Sequence, residues 1–158
     1  RRDYDSVLDT SLFKIEAYDV AHLQGDAMVG VMTVVKSGEP DKNEYRKFKI
    51  RTVLKSNDTK ALGEMLERRL QHPEWSLPEL IVVDGSVAQK NVAEKLLHKH
   101  KLAIPVVAVV KNDKHKPERL LGNSALLKKH KDSILLANAE AHRFAITYHK
   151  HLRKTTFL

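Results

Sequence analysis

Two aspartates and one histidine of this chain occupy positions from which side chains can do chemistry. Asp19 lies in the apolar run 16–22, Asp84 directly follows the apolar run 80–83, and His142 lies in the helix-forming segment 139–149. Strand ends hold side chains rigidly, and carboxylate oxygens are the ligands that Mg²⁺ prefers. We therefore expect Asp19, Asp84 and His142 to converge on a divalent metal site.

A metal held in this way suits the hydrolysis of a phosphodiester bond. The reaction needs an activated water, a Lewis acid and stabilisation of the leaving oxygen, and a bound Mg²⁺ or Mn²⁺ can supply all three. Asp19 is the expected central ligand. The imidazole of His142 could bind the metal or transfer a proton. The alternative for His142 is an ordinary histidine at the edge of a helix.

Two further residues have open interpretations. Asp58 follows Ser56 and Asn57 at the start of a helical pattern. It is either an auxiliary acidic residue of the site or a carboxylate that stabilises the helix N-terminus by capping it or by interacting with the helix dipole. His22 is either a core histidine or a residue that orients Asp19 from behind. The sequence does not separate these readings.

The composition limits the class of protein. The chain has 158 residues with 28 Lys and Arg against 20 Asp and Glu, so its net charge of +8 favours a polyanionic partner such as nucleic acid. A merely basic surface is the alternative. The absence of cysteine excludes disulfides, thiolate zinc sites and cysteine nucleophiles, and it is compatible with a cytoplasmic location. No apolar run is long enough for a membrane-spanning helix.

The order of elements follows from apolar periodicity and turn residues. Three antiparallel strands are predicted at 13–20, 27–35 and 45–53, followed by a helix that begins near Asn57. The later predictions are a strand at 80–83, a helix at 86–100, a strand at 106–110, a turn-rich segment at 112–131, a small strand at 133–136 and a final helix capped by Asn138. This order predicts an α/β, ribonuclease H-like fold with a mixed five-stranded sheet flanked by helices. In that fold the acidic ligands occupy the places of Asp19, Asp58 and Asp84, and a C-terminal helix supplies the last ligand, here His142.

Five segments resemble one protein family. They are 18–25, 44–52, 82–85, Gln89 with Asn91, and 140–149. Together they are similar to the C-terminal endonuclease domain of UvrC, the incising component of the excinuclease in bacterial nucleotide excision repair. The resemblance implies an incising set of Asp19, Asp84 and His142 with Asp58 in an auxiliary role. It also implies a Mg²⁺ or Mn²⁺ cofactor, damaged double-stranded DNA as substrate, and UvrA-type and UvrB-type proteins as partners of the full-length chain.

The chain departs from the family pattern in three places. Val87 stands where the family usually has a lysine after the fourth-strand aspartate, and Ala139 replaces an aspartate ahead of Glu140. No helix-hairpin-helix module follows, so we expect residues 1–158 to be a single endonuclease domain, either a fragment of a longer protein or a minimal relative. The candidate DNA contacts are Tyr45, Arg46, Lys111 and Arg143.

Two other functions remain open. One is a different ribonuclease H-like nuclease, which would act on RNA in hybrids or on junctions. The segment 140–149 favours the excision-repair family over it. The other is a non-catalytic nucleic-acid-binding relative, whose expected sign is the loss of a metal ligand, and Asp19, Asp84 and His142 are all retained.

Overall fold

A computed structural model describes residues 13–23, 27–51 and 57–156, with side chains to residue 147. The described part contains seven strands and three α-helices. The strands are β1 (Lys14–His22), β2 (Met28–Lys36), β3 (Glu39–Pro40), β4 (Arg46–Lys49), β5 (Leu80–Asp84), β6 (Val106–Lys111) and β7 (Pro117–Leu121). The helices are α1 (Asp58–Leu70), α2 (Val87–Lys99) and α3 (Ser124–Thr156), and a short 3-10 helix spans Lys42–Glu44.

All seven strands belong to one mixed sheet, with the order β3-β2-β1-β5-β6-β7 and with β4 also paired to β2. β1 and β2 form an antiparallel pair, whereas β5 runs parallel to β1 and β6 runs parallel to β5. β7 returns antiparallel to β6 at the end of the sheet. The parallel strands β5 and β6 are nearly continuous apolar runs because helices cover the sheet on both faces.

Helices α1 and α2 cover one face of the sheet and α3 covers the other. Met65, Leu66 and Leu97 pack on the first face together with Tyr18 of β1. On the second face Ile134, Ala137, Ala141 and Ala145 of α3 pack against the alternate residues of β1, including Ala17. The small alanine side chains let α3 lie close to β1, and this closeness positions the residues on the edges of α3.

The predicted element order is confirmed, but the strand count and several boundaries were wrong. The sheet has seven described strands instead of five, because Glu39–Pro40 pairs with β2 and Pro117–Leu121 pairs with β6. Residues 133–136 are helical and not a strand. The final helix begins at Ser124, where the Asn123 side chain accepts hydrogen bonds from the Ala125 and Leu126 N–H groups. Asn138 is a buried residue inside that helix and not its cap.

Two boundaries lie near residues that the structure does not describe. The third predicted strand, 45–53, is observed only as Arg46–Lys49, and residues 52 and 53 lie outside the described part. Ser56 of the predicted helix start also lies outside it, while the Asn57 side chain caps α1 by accepting from the Lys60 N–H. None of the described helices combines the length and apolar character required to cross a bilayer.

Candidate active site

Asp19 and Asp84 lie side by side where two neighbouring parallel strands approach their carboxyl ends. Tyr18 of β1 and Val83 of β5 are register partners, so the next residue in each strand is one of the two aspartates. Both carboxylates line a small cavity of about 30 Å³ together with Asp58 and Gln89. This volume suffices for one ion or a very few waters.

His142 joins the pair from α3. Its Nδ1 lies 3.4 Å from Asp19 Oδ2, and about half of its side chain is exposed. The neighbouring Ala141 is fully buried against the sheet, which fixes the rotation of the helix and directs the next residue toward the end of β1. The structure therefore brings together the three residues that the sequence singled out. Asp19 and His142 are in contact, and Asp19 and Asp84 line the same cavity.

The environment of Asp19 disfavours its negative charge. Burial, followed by the nearby Asp84 carboxylate, raises the pKa of Asp19 to about 6. The Val20 N–H donates to Asp19 Oδ1 at 2.8 Å and acts in the opposite direction, as do Lys111 and His142. A divalent cation between the carboxylates would remove the repulsion, and the acidic pair therefore fits such an ion.

Lys111, at the end of β6, lies against Asp84. Its Nζ is 2.7 Å from Asp84 Oδ1, and both side chains are largely buried. This contact is an ion pair without hydrogen-bond geometry, because the same oxygen has no hydrogen-bond partner among the described residues. Lys111 therefore supplies a positive charge directly beside Asp84.

The turn after Asp84 requires glycine. Gly85 has a φ of +140°, and a Cβ at this position would lie 2.6 Å from the Gln89 Cδ. Gln89 folds back over the turn because its Oε1 accepts from the Ser86 N–H at 2.9 Å, and Ser86 caps α2. Val87, where the family usually has lysine, is exposed in the first turn of α2.

Asp58 and His22 pair with each other at the rim of the cavity. Asp58 Oδ1 lies 2.9 Å from His22 Nε2, and both side chains are about half exposed. Asn57 and not Asp58 supplies the cap of α1. His22 is neither a core histidine nor a partner of Asp19, so both readings from the sequence were wrong, and its contact is with Asp58.

Of the other candidate DNA contacts, Tyr45 and Arg143 meet at Glu140 of α3, whereas Arg46 lies on the opposite face of the sheet. Tyr45 Oη donates to Glu140 Oε1 at 2.6 Å, and Arg143 Nε donates to Glu140 Oε2 at 2.7 Å. The Arg143 guanidinium, with help from Tyr45, lowers the pKa of Glu140, whereas burial and Glu140 raise the pKa of Tyr45. Arg46 donates to the carbonyls of Asn43 and Tyr45 and stacks over Trp75. The Arg143 side chain remains about half exposed.

Among the described residues, no group of three or more His, Cys, Asp or Glu side chains is close enough to hold a metal ion by itself. The side chains that come nearest to forming such a group are Asp19, Asp84 and His142, and Asp58 lines the same cavity as the two aspartates. Two carboxylates with one adjacent imidazole fit a hard divalent cation that completes its shell with water, as Mg²⁺ usually does.

Sequence reasoning missed two contacts of the site. The sequence did contain a signal for the Lys111–Asp84 pair. Lys111 ends β6, and β6 is the neighbour of the strand that carries Asp84, since Asp84 and Val109 are register partners. The His22–Asp58 pair had no comparable signal, because it joins the end of β1 to the start of α1 across residues distant in sequence.

The mixed sheet, with acidic residues near the ends of β1 and β5 and a histidine from a C-terminal helix, is that of a ribonuclease H-like domain. The family model for the UvrC RNase H endonuclease domain matches residues 5–146. The chain belongs to this family.

Similar proteins agree with this assignment. The UvrABC system protein C of Clostridioides difficile (strain 630) is 37% identical over 145 residues, covering 89% of this chain and 24% of that protein. The UvrABC system protein C of Clostridium novyi (strain NT) is 38% identical over 168 residues, covering 92% of this chain and 27% of that protein. This chain therefore spans about a quarter of the length of these relatives.

Solved structures give more distant similarities. Endonuclease V of Ciona intestinalis, in complex with a 24mer DNA that contains an inosine followed by a ribo-adenosine, aligns with a TM-score of 0.48 at 14% identity, over 77% of this chain and 55% of that one. Endonuclease V of Streptomyces avermitilis aligns with a TM-score of 0.45 at 16% identity, over 71% of this chain and 57% of that one.

Proposed function

We propose that this chain is a metal-dependent endonuclease that hydrolyses a phosphodiester bond of DNA, with Asp19, Asp84 and His142 as its catalytic residues. The observation that carries the proposal is the placement of two aspartates next to each other, with the pKa of Asp19 raised to about 6. Burial and, after it, the adjacent Asp84 carboxylate disfavour the charge of Asp19 unless a cation is bound beside it, and perturbed carboxylates are concentrated at functional sites.

The proposed roles follow from the contacts. Asp19 and Asp84 hold Mg²⁺ or Mn²⁺, which when bound acts as a Lewis acid on the phosphate and lowers the pKa of a bound water. His142 faces Asp19 through Nδ1 with about half of its side chain exposed, so it would either bind the same metal or transfer a proton. Asp58 is the auxiliary acidic residue, and His22 holds its carboxylate at the rim.

The proposed DNA contacts differ in the exposure of their side chains and in the residues that orient them. Arg143 is half exposed and oriented by Glu140, so it can reach a phosphate without losing its internal partner. Tyr45 supports the same Glu140 carboxylate. Lys111 neutralises Asp84 and lies close enough to the metal position to contact the same phosphate. Arg46 lies over Trp75 and is proposed as a further phosphate contact through its positive charge.

The biological setting is proposed from the family. Because the chain matches about a quarter of its relatives, residues 1–158 are proposed to form one endonuclease domain that works with further regions of a UvrC-type protein. Its substrate is then damaged double-stranded DNA, its partners are UvrA-type and UvrB-type proteins, and its location is the cytoplasm.

Nicking of a supercoiled plasmid in Mg²⁺ or Mn²⁺ tests the proposal. Asp19→Asn removes the charge that holds the ion while it keeps the size of the side chain, so nicking should fall by at least about a thousandfold, since the metal supplies several kcal/mol. Calorimetry should show a matching loss of Mn²⁺ affinity. Asp132→Asn, an exposed change on α3, is the control and should nick normally.

Unchanged nicking and unchanged Mn²⁺ binding in Asp19→Asn would refute the site. Cleavage of an RNA–DNA hybrid without cleavage of plasmid would assign the chain to a different ribonuclease H-like activity. Binding of DNA with no metal-dependent cleavage of either substrate, alone or with the partner proteins, would leave a non-catalytic binding domain.

A further inference from the structure

A groove of about 600 Å³ lies between strand β7 and the first half of helix α3. β7 is the last strand of the described sheet, so this groove follows an open edge. Its floor is formed by Leu120, Leu127 and Leu135, all partly buried, and its walls carry the exposed cations Arg119, Lys128 and Lys131. Glu118 is the one acidic residue that lines it.

The groove leads to the candidate active site along α3. Lys131, Leu135 and His142 are separated by four and seven residues in the continuous helix that follows the kink at His130. These intervals place the three side chains on the same side of the helix. At 1.5 Å per residue, the distance from Lys131 to His142 along the axis is about 16 Å, which corresponds to a few nucleotides of a single strand.

The wall of the groove that is formed by β7 also leads to the candidate active site. Pro117, at the start of β7, is the register partner of Lys111 at the end of β6. Lys111 in turn contacts Asp84. Both walls therefore lead to the side chains around Asp19 and Asp84, and an occupant of the groove would emerge beside them.

We propose that this groove binds a single strand of nucleic acid that leads to or from the bond to be cut. The proposal rests on the nuclease activity proposed above and specifies its substrate as a strand with unpaired bases next to the cut. Three exposed cations against one carboxylate match a phosphate backbone, and the leucine floor provides an apolar surface for base edges and sugars. The continuity with Asp19 and Asp84 favours this occupant over an acidic peptide added to the edge of β7.

The test uses the whole 158-residue chain in EDTA, so that binding is measured without cleavage. Labelled oligo(dT) and a duplex of the same length are titrated against the parent, against Lys128→Gln with Lys131→Gln, and against Lys95→Gln with Lys99→Gln. The second pair is also exposed on a helix, but it lies on α2 away from the groove. Circular dichroism and urea unfolding establish that each variant is folded.

The groove pair should lose about tenfold or more in oligo(dT) affinity at 100 mM salt, since each lost phosphate contact contributes about 0.7 to the slope of log K against log salt for single strands. The slope should become shallower by about 1.4. The control pair should change affinity by less than about twofold, and the groove pair should lose more affinity for the single strand than for the duplex.

Cross-linking gives a second readout that does not depend on net charge. The chain has no cysteine, so Lys131→Cys and Lys95→Cys each introduce a unique thiol. An oligonucleotide with a disulfide tether should cross-link readily to residue 131 and poorly to residue 95. Equal cross-linking at both positions, or equal loss of affinity in both double variants, overturns the proposal.

The failure of this inference is distinguishable from failure of the nuclease proposal. If the groove variant binds oligo(dT) normally while plasmid nicking still depends on Asp19, the nuclease stands and the groove proposal is wrong. If an oligo-glutamate peptide binds the parent and loses affinity in the groove pair while oligo(dT) does not, the groove binds a protein segment instead. Cross-linking at residue 131 together with nicking that is independent of Asp19 supports the groove and refutes the nuclease site.

Discussion

Asp19 illustrates how a candidate catalytic residue can destabilise the chain that carries it. Its side chain is only 12% exposed and shares a cavity with Asp84. Burial and that neighbour raise the pKa of Asp19 to about 6, although the Val20 N–H, Lys111 and His142 each favour the charge. The ionised form of Asp19 therefore lowers the stability of the folded chain, and a cation bound beside it would offset this cost.

The pH dependence of stability follows from this shift. An unfolded aspartate has a pKa of about 3.9, so between that pH and about 6 the folded state binds more protons than the unfolded state. The free energy of unfolding from this group therefore falls as the pH rises through that window, by up to about 3 kcal/mol. Below about pH 4 the group is protonated in both states and costs nothing.

Asp19→Asn should consequently be more stable than the parent at pH 7 in EDTA, by about 1–3 kcal/mol, and equally stable near pH 4. Urea unfolding at the two pH values measures this difference. Added Mn²⁺ should stabilise the parent and not the variant, because only the parent binds it in the folded state. A variant that is less stable than the parent at pH 7 without metal would contradict the electrostatic account.

Behind the site, a buried ion pair joins β1 to α1. Arg69 Nε and Nη2 donate to the two oxygens of Glu16 at 2.8 and 2.7 Å, and Tyr18 Oη donates to Glu16 Oε1. Glu16 and Arg69 are fully buried, and Arg69 Nη2 also donates to the Ser76 carbonyl. This pair fixes helix α1, and therefore Asp58, relative to the strand that carries Asp19.

Arg69→Ala should destabilise the chain by about 3–5 kcal/mol, because the buried Glu16 carboxylate loses two charge-assisted hydrogen bonds and keeps only Lys14 Nζ, at 3.2 Å, as a counter-ion. Arg68→Ala removes a neighbouring arginine that is 29% exposed, and with it contacts to Glu64, the Lys49 carbonyl and the Phe48 ring, so it should cost less, about 1–2 kcal/mol. Urea unfolding at pH 7 compares the two variants. Similar losses in both would show that the buried pair has no special role.

Among the strands and helices, those with apolar sequences were predicted well, whereas those with mostly polar sequences were missed. β1, β2, β5 and β6 are apolar enough to be recognised in isolation. β7 was missed because only Leu120 and Leu121 of its five residues are apolar and its stability depends on pairing with β6. The start of α3 was missed because its outward side is polar, and Asn138 resembled a cap although the helix packs it against the sheet.

For the whole molecule, the excess of positive charge is the property most relevant to DNA binding. The net charge is +8, and the proposed contacts Arg46, Lys111 and Arg143 are all cationic. Charge of this kind binds the phosphate backbone without reading sequence. Val87, in place of the usual lysine of the family, leaves the turn after Asp84 without a cation of its own.

Duplex binding by the chain should therefore be weak, indifferent to sequence and strongly dependent on salt. If four cations each neutralise one phosphate, log K should fall with log salt at a slope of about −3.6, and affinity should drop by roughly a hundredfold between 50 and 200 mM salt. Fluorescence anisotropy with two unrelated duplexes in EDTA measures both properties. A tight complex that is insensitive to salt would mean that specific contacts dominate.

The sequence by itself determined the order of the main strands and helices, because apolar runs form strands and can be recognised locally. It also indicated the three candidate ligands, because residues at the ends of neighbouring parallel strands meet at one edge of the sheet. It also determined the family, through segments distributed along most of the chain. Only the tertiary structure decided which side chains pair. Lys111 contacts Asp84, His22 contacts Asp58, and Arg143 shares Glu140 with Tyr45. The position of the groove was likewise decided by the packing of α3 beside β7. These contacts join residues distant in sequence, and their geometry depends on how helices pack on the sheet, which local periodicity does not encode.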